Sequence, residues 1–84
     1  MNHYLIIYRS VTQAQMAGRI LNGAGIVYQI QRTPAGLTER GCSYSVRVPE
    51  RYIRRALDRL QGTRPAFYKI FRSTDGEYAE VTQF

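Results

Sequence analysis

The 84-residue sequence holds one cysteine, one histidine, one lysine and no tryptophan. A single thiol closes no intramolecular disulfide, and Cys42 with His3 falls short of the ligand set of an ordinary zinc site. Disulfide scaffolds and zinc fingers are therefore excluded, and no metal or other cofactor is expected. Long apolar runs are also missing. The longest, Tyr4 to Tyr8, is far too short to span a bilayer, and the residues ahead of it form no signal-peptide pattern. A cytoplasmic protein with no membrane partner is the expectation. Paired carboxylates, a His–Cys arrangement and a glycine-rich phosphate loop are absent too, which argues against a turnover enzyme.

What is present suits one small globular domain: 44% apolar residues against 21% charged. The net charge is +6, and eleven of the twelve basic residues are arginines, Lys69 being the exception. Arginine's planar fork suits phosphate and carboxylate, although GC-rich codon usage produces the same excess without functional content. The charge is unevenly placed. Residues 1–72 carry +9 and the stretch from Ser73 onward −3, through Asp75, Glu77 and Glu80.

His3 to Arg9 reads as a short buried strand. Ser10-Val11-Thr12-Gln13 has capping-box spacing, with the serine accepting from the Gln13 amide and the glutamine reaching back to the amide of Ser10. The helix that follows carries an apolar stripe of Ala14, Ala17, Ile20, Leu21 and Ala24 and ends at Gly25; Gly18 and Gly23 weaken it. Ile26 to Gln31 alternates as a second strand, and Arg32 to Gly41 is a long loop. A third strand begins at Cys42, with Tyr44, Val46 and Val48 on one face and Ser43, Ser45 and Arg47 on the other. Pro49 and Glu50 suit the first turn of a second helix with the stripe Ile53, Ala56, Leu57 and Leu60, closed by Gly62. Ala66 to Phe71 is a fourth strand. The order β-α-β-β-α-β predicts an α+β, ferredoxin-like two-layer sandwich with a short C-terminal tail. Residues 1–72 would form the single domain, and residues 73–84 an acidic tail or hairpin arm around Asp75-Gly76.

In that layout the third strand runs antiparallel to the first. Cys42 then faces Arg9, Ser10 and the amides of Val11 to Gln13, with Arg40 and Gly41 just ahead of it. A helix N-terminus and nearby guanidinium groups favour thiolate over thiol. The competing reading is that Cys42 is a small buried hydrophobe. His3 is expected to be a solvated terminal residue.

Tyr4-Leu5-Ile6-Ile7-Tyr8-Arg9-Ser10-Val11-Thr12-Gln13-Ala14, Gly25-Ile26, and Arg32-Thr33-Pro34 leading to Gly41-Cys42 resemble a small bacterial family of selenium/sulfur carrier-like proteins. The resemblance covers about residues 3 to 72. In that family a cysteine sits in a Gly-Cys-Gly-type stretch after a proline-containing loop; here Ser43 stands at the second glycine, and Thr38-Glu39-Arg40 replaces small polar residues. The resemblance implies that Cys42 accepts sulfur or selenium as a persulfide or selenopersulfide. It also implies that donor and acceptor proteins are the partners.

Two other features could carry function. Arg51, Arg55 and Arg59 repeat at i, i+4 as a single-sign column, readable as a solvated face or as an anion- or RNA-binding platform, while Glu50, Arg54 and Asp58 can pair along the helix. RNA binding through the sheet is less expected. Against the strand-three signature of the RNA-recognition motif only Tyr44 fills an aromatic slot, with Cys42 and Arg47 in the others. A homodimer through the open sheet face is the expectation if Tyr4, Tyr8 or Tyr68 shows there.

Overall fold

The computed structural model describes residues 2–38, 43–63 and 66–82. Along the chain come β1 (His3–Tyr8), α1 (Val11–Gly23), β2 (Gln29–Arg32), β3 (Tyr44–Pro49), a 3-10 turn (Glu50–Tyr52), α2 (Ile53–Leu60), β4 (Lys69–Thr74) and β5 (Glu77–Glu80). They build an α+β fold with one antiparallel sheet in the order β2-β3-β1-β4-β5.

The continuous apolar run of β1 follows from its central position, covered on both faces. Tyr4, Ile6 and Tyr8 pack with Val46, Val48 and Ile70 against Ala14, Ala17 and Leu21 of α1 and Ile53, Ala56, Leu57 and Leu60 of α2. The stripe expected on α2 is thus buried on this face, as are Ala14, Ala17 and Leu21 of the α1 stripe, with Ile20 and Ala24 half-buried against them. Leu5 and Ile7 point the other way, into a second cluster with Phe71 that Leu37 packs against. Burying each such side chain contributes on the order of 2 kcal/mol.

Ser10 caps α1 as expected, its Oγ accepting from the Gln13 amide at 3.2 Å. The reciprocal bond differs: Gln13 Oε1 accepts from the amide of Arg9, 3.2 Å away, rather than from Ser10. At the other end Gly25 takes the left-handed conformation (φ 72°). Its amide donates to the Asn22 carbonyl and that of Ile26 to the Leu21 carbonyl. This double closure commits Ile26 to the helix end. The second strand therefore starts at Gln29 instead of Ile26, although Ile26 remains a core residue.

Three further boundaries move. Pro49 is the last residue of β3, pairing with His3, and α2 starts at Ile53 after the 3-10 turn. The fourth strand runs Lys69–Thr74 rather than Ala66–Phe71. Beyond it the chain turns at Asp75 (φ 51°) and Gly76 (φ 85°) and returns as a fifth strand, a positive-φ pair suited to a tight hairpin. The sheet therefore has five strands where four were expected. Glu50 also chooses a different partner, pairing with Arg72 of β4 at 3.1 Å rather than with Arg54. Among the described residues no helix is long and apolar enough to cross a membrane.

Candidate functional site

The end of β1 carries the chain into α1 through Arg9 and Ser10, and the β1–β3 register sets Tyr44 directly opposite Tyr8. The beginning of β3 therefore lies at the same end of the sheet as the start of α1. Cys42, with Glu39, Arg40 and Gly41, lies outside the described residues; its covalent neighbour Ser43 is buried.

The loop leading to this point is stitched to β3. The Thr33 amide donates to the Ser43 carbonyl at 3.1 Å, and the Thr33 and Ser45 hydroxyls lie 2.8 Å apart. Thr38 Oγ1 and Ser43 Oγ, 3.2 Å apart, hold together the two ends of the 39–42 stretch. Leu37, on a turn closed by its amide to the Pro34 carbonyl, packs on the Leu5–Ile7–Phe71 cluster. On the sheet face away from the helices, Leu5, Ile7 and Phe71 are thus buried, with Leu37 of the loop packed on them. Tyr4 and Tyr8 are buried on the helical side, so of the three tyrosines on which a homodimer was expected to depend only Tyr68 is exposed.

The first turn of α1 contains no acidic side chain of its own to offset the positive end of its dipole. Arg9 turns its guanidinium over the ring of Tyr68, with Cζ 4.9 Å from the centroid, and Lys69 Nζ lies 5.4 Å from the same ring. Tyr68 is 40% exposed. This cation-aromatic cluster was not legible in the sequence, because Tyr68 reaches Arg9 only through the pairing of its amide with the Ile7 carbonyl at 2.7 Å. Tyr8, by contrast, is buried, and desolvation pushes its phenol up to about 12.

The arginines of the second helix are spread over different tasks. Arg51, in the 3-10 turn, sits over the Tyr52 ring at 5.0 Å. Arg55 donates to the carbonyl of Ala24 at 3.1 Å, tying α2 to the end of α1, and Arg59 is exposed in the last turn of α2. His3 is not a solvated terminal residue. It is half-buried, and its Nδ1 accepts from Arg47 Nη2 at 3.2 Å. Among the described residues no group of three or more His, Cys, Asp or Glu side chains is placed to hold a metal ion.

Residues 3–72, most of the chain, match the family described as "Putative Se/S carrier protein-like". The chain belongs to this family. The matched span takes in β1 through Arg72 of β4, and so both helices and Cys42; β5 lies beyond it. No curated protein and no solved structure matches the chain.

Proposed function

We propose that this chain is a sulfur or selenium carrier that holds the atom on Cys42 as a persulfide or selenopersulfide. The family's description supports this class of function. The observation that carries the reading to a site is the register of Tyr44 opposite Tyr8, which brings the start of β3 to the end of β1 and the N-terminus of α1. In the proposed step the Cys42 thiolate attacks the terminal sulfur of a donor persulfide. The donor S–S bond breaks, the donor departs as a thiolate, and Cys42 keeps the sulfane sulfur, so no external oxidant or reductant is consumed. The amides of the first turn of α1, with Arg9, Ser10, Arg40 and Gly41, would stabilise the anion before and after transfer. The strand order β2-β3-β1-β4 fits a ferredoxin-like domain over residues 1–72, with β5 as an appended arm. Donor and acceptor proteins of the cytoplasm are the proposed partners.

Mass spectrometry after incubation with a cysteine desulfurase and cysteine, without added reductant, tests this. The expected result is one added sulfur on the wild type and none on Cys42→Ser. A wild type that gains no mass sinks the proposal.

RNA binding by the sheet is not supported, since Leu5, Ile7 and Phe71 are buried on the face that would stack bases.

A further inference from the structure

On the second face of the sheet the loop from Thr33 bonds to β3 at Ser43 and Ser45, toward the Tyr8–Tyr44 end. At the opposite end, where His3 pairs with Pro49, a cleft of about 260 Å³ opens between His3, Val27, Tyr28, Gln29, Arg47 and Pro49. Its polar wall is cationic. Arg47 is half-buried, and among the described residues no carboxylate lies within ion-pair distance of it. Its one hydrogen-bond partner here is His3 Nδ1. A guanidinium has only donors, so that nitrogen is the acceptor. Gln29, directly opposite Arg47 across the β2–β3 pair, adds an amide. The rest of the lining is apolar or aromatic, and Val27 is 57% exposed, an uncovered hydrophobic side chain beside a half-buried cation.

We propose that this cleft binds a carboxylate bearing a small apolar or aromatic group. One planar guanidinium fork matches the two oxygens of a single carboxylate, whereas a phosphate dianion would call for more positive charge than the lining supplies. Val27, Tyr28 and Pro49 take the apolar body. The acid could be a free small molecule or the C-terminus of a polypeptide, since both present the same chemistry. The site lies at the far end of β3 from Ser43 and does not depend on the chemistry proposed for Cys42.

Amide NMR of the whole chain tests the proposal with four probes: 3-phenylpropionate, 3-phenylpropanamide, N-acetyl-Gly-Phe and its C-terminal amide. The expected result is saturable shifts at His3, Val27, Gln29 and Arg47 from the acids, with Kd on the order of 1 mM for so small a ligand. Each uncharged amide should bind about tenfold or more weakly than its acid. Tighter binding of the dipeptide acid assigns the cleft to a polypeptide C-terminus, and tighter binding of 3-phenylpropionate to a free acid. Arg47→Gln should lose about tenfold or more in affinity. Should that variant fail to fold, Gln29→Glu at an exposed position sets a carboxylate against Arg47 and should abolish binding. Equal shifts from acid and amide, no saturable shift from either acid, or wild-type affinity in folded Arg47→Gln or Gln29→Glu overturns the proposal.

Discussion

The ring of Tyr28 lies so close to Gly18 that a β-carbon built there would fall 2.6 Å from Cε2 and 2.9 Å from Cζ. Gly18 is buried in the middle of α1, and the half-buried Tyr28 just ahead of β2 packs on the gap it leaves. Alanine at an interior helix position ordinarily stabilises by about 1 kcal/mol over glycine, but displacing a packed ring costs about 1–3 kcal/mol. Gly18→Ala is therefore expected to destabilise the wild type by about 1 kcal/mol and to stabilise a Tyr28→Ala background by about as much. Urea unfolding of the four proteins measures the coupling. Additive effects would show that the two residues do not share this space.

The same pair shows what the sequence could and could not convey. The helical stripes and the apolar core of β1 were legible because periods of 3.6 and 2 are local properties of the chain. Gly18 read only as a weak point in its helix, because its reason is a ring ten residues away, beyond the end of that helix. The start of β2 was misplaced for a related reason: Ile26 alternates like a strand residue, but its amide is taken by the end of α1. Pairings across the sheet, such as Glu50 with Arg72 and Arg9 over Tyr68, depend on register, which the sequence leaves open. For the candidate site, antiparallel order was enough to expect the start of β3 beside the start of α1. The packing of the loop on the second face was not legible, since Leu37 is a lone apolar residue in a loop with no periodicity.

Burial of Tyr8 makes alkaline stability dependent on that residue. Its phenol is pushed up to about 12 in the fold, against about 10 for an exposed tyrosine. A folded-state pKa above the unfolded one contributes stability that is intact below pH 10 and is lost as the pH rises toward 12. Over that window the wild type should lose about 2–3 kcal/mol more than Tyr8→Phe. Denaturant unfolding of both proteins at a series of alkaline pH values checks this. Parallel stability curves would mean that Tyr8 does not couple folding to pH.

The Ser10 cap should matter more than the glutamine that answers it. Ser10 Oγ satisfies the amide of Gln13 inside the first turn of α1, whereas Gln13 Oε1 bonds the exposed amide of Arg9 outside the helix. Ser10→Ala should cost about 1 kcal/mol, and Gln13→Ala only a few tenths. Thermal unfolding of the two variants ranks them, and equal losses would assign the cap to the pair rather than to the serine.

Leu37 is the one loop side chain described as packed on the Leu5–Ile7–Phe71 cluster, so its truncation tests whether the loop is held by burial or by its hydrogen bonds. The bonds from Thr33 to Ser43 and Ser45 fix the loop at its base, where backbone and hydroxyl partners need little help from packing. Near its tip, Leu37 has only its own 3.4 Å turn bond to Pro34 and the apolar contact below. Leu37→Ala should lower stability by about 1–2 kcal/mol, less than a fully buried leucine because Leu37 is half-exposed. Hydrogen exchange at the Leu37 amide should accelerate well beyond that at Thr33, and binding of a hydrophobic dye should rise as Leu5, Ile7 and Phe71 become accessible. If Thr33 and Leu37 accelerate together, the loop opens as a single unit and its base is no stronger than its tip.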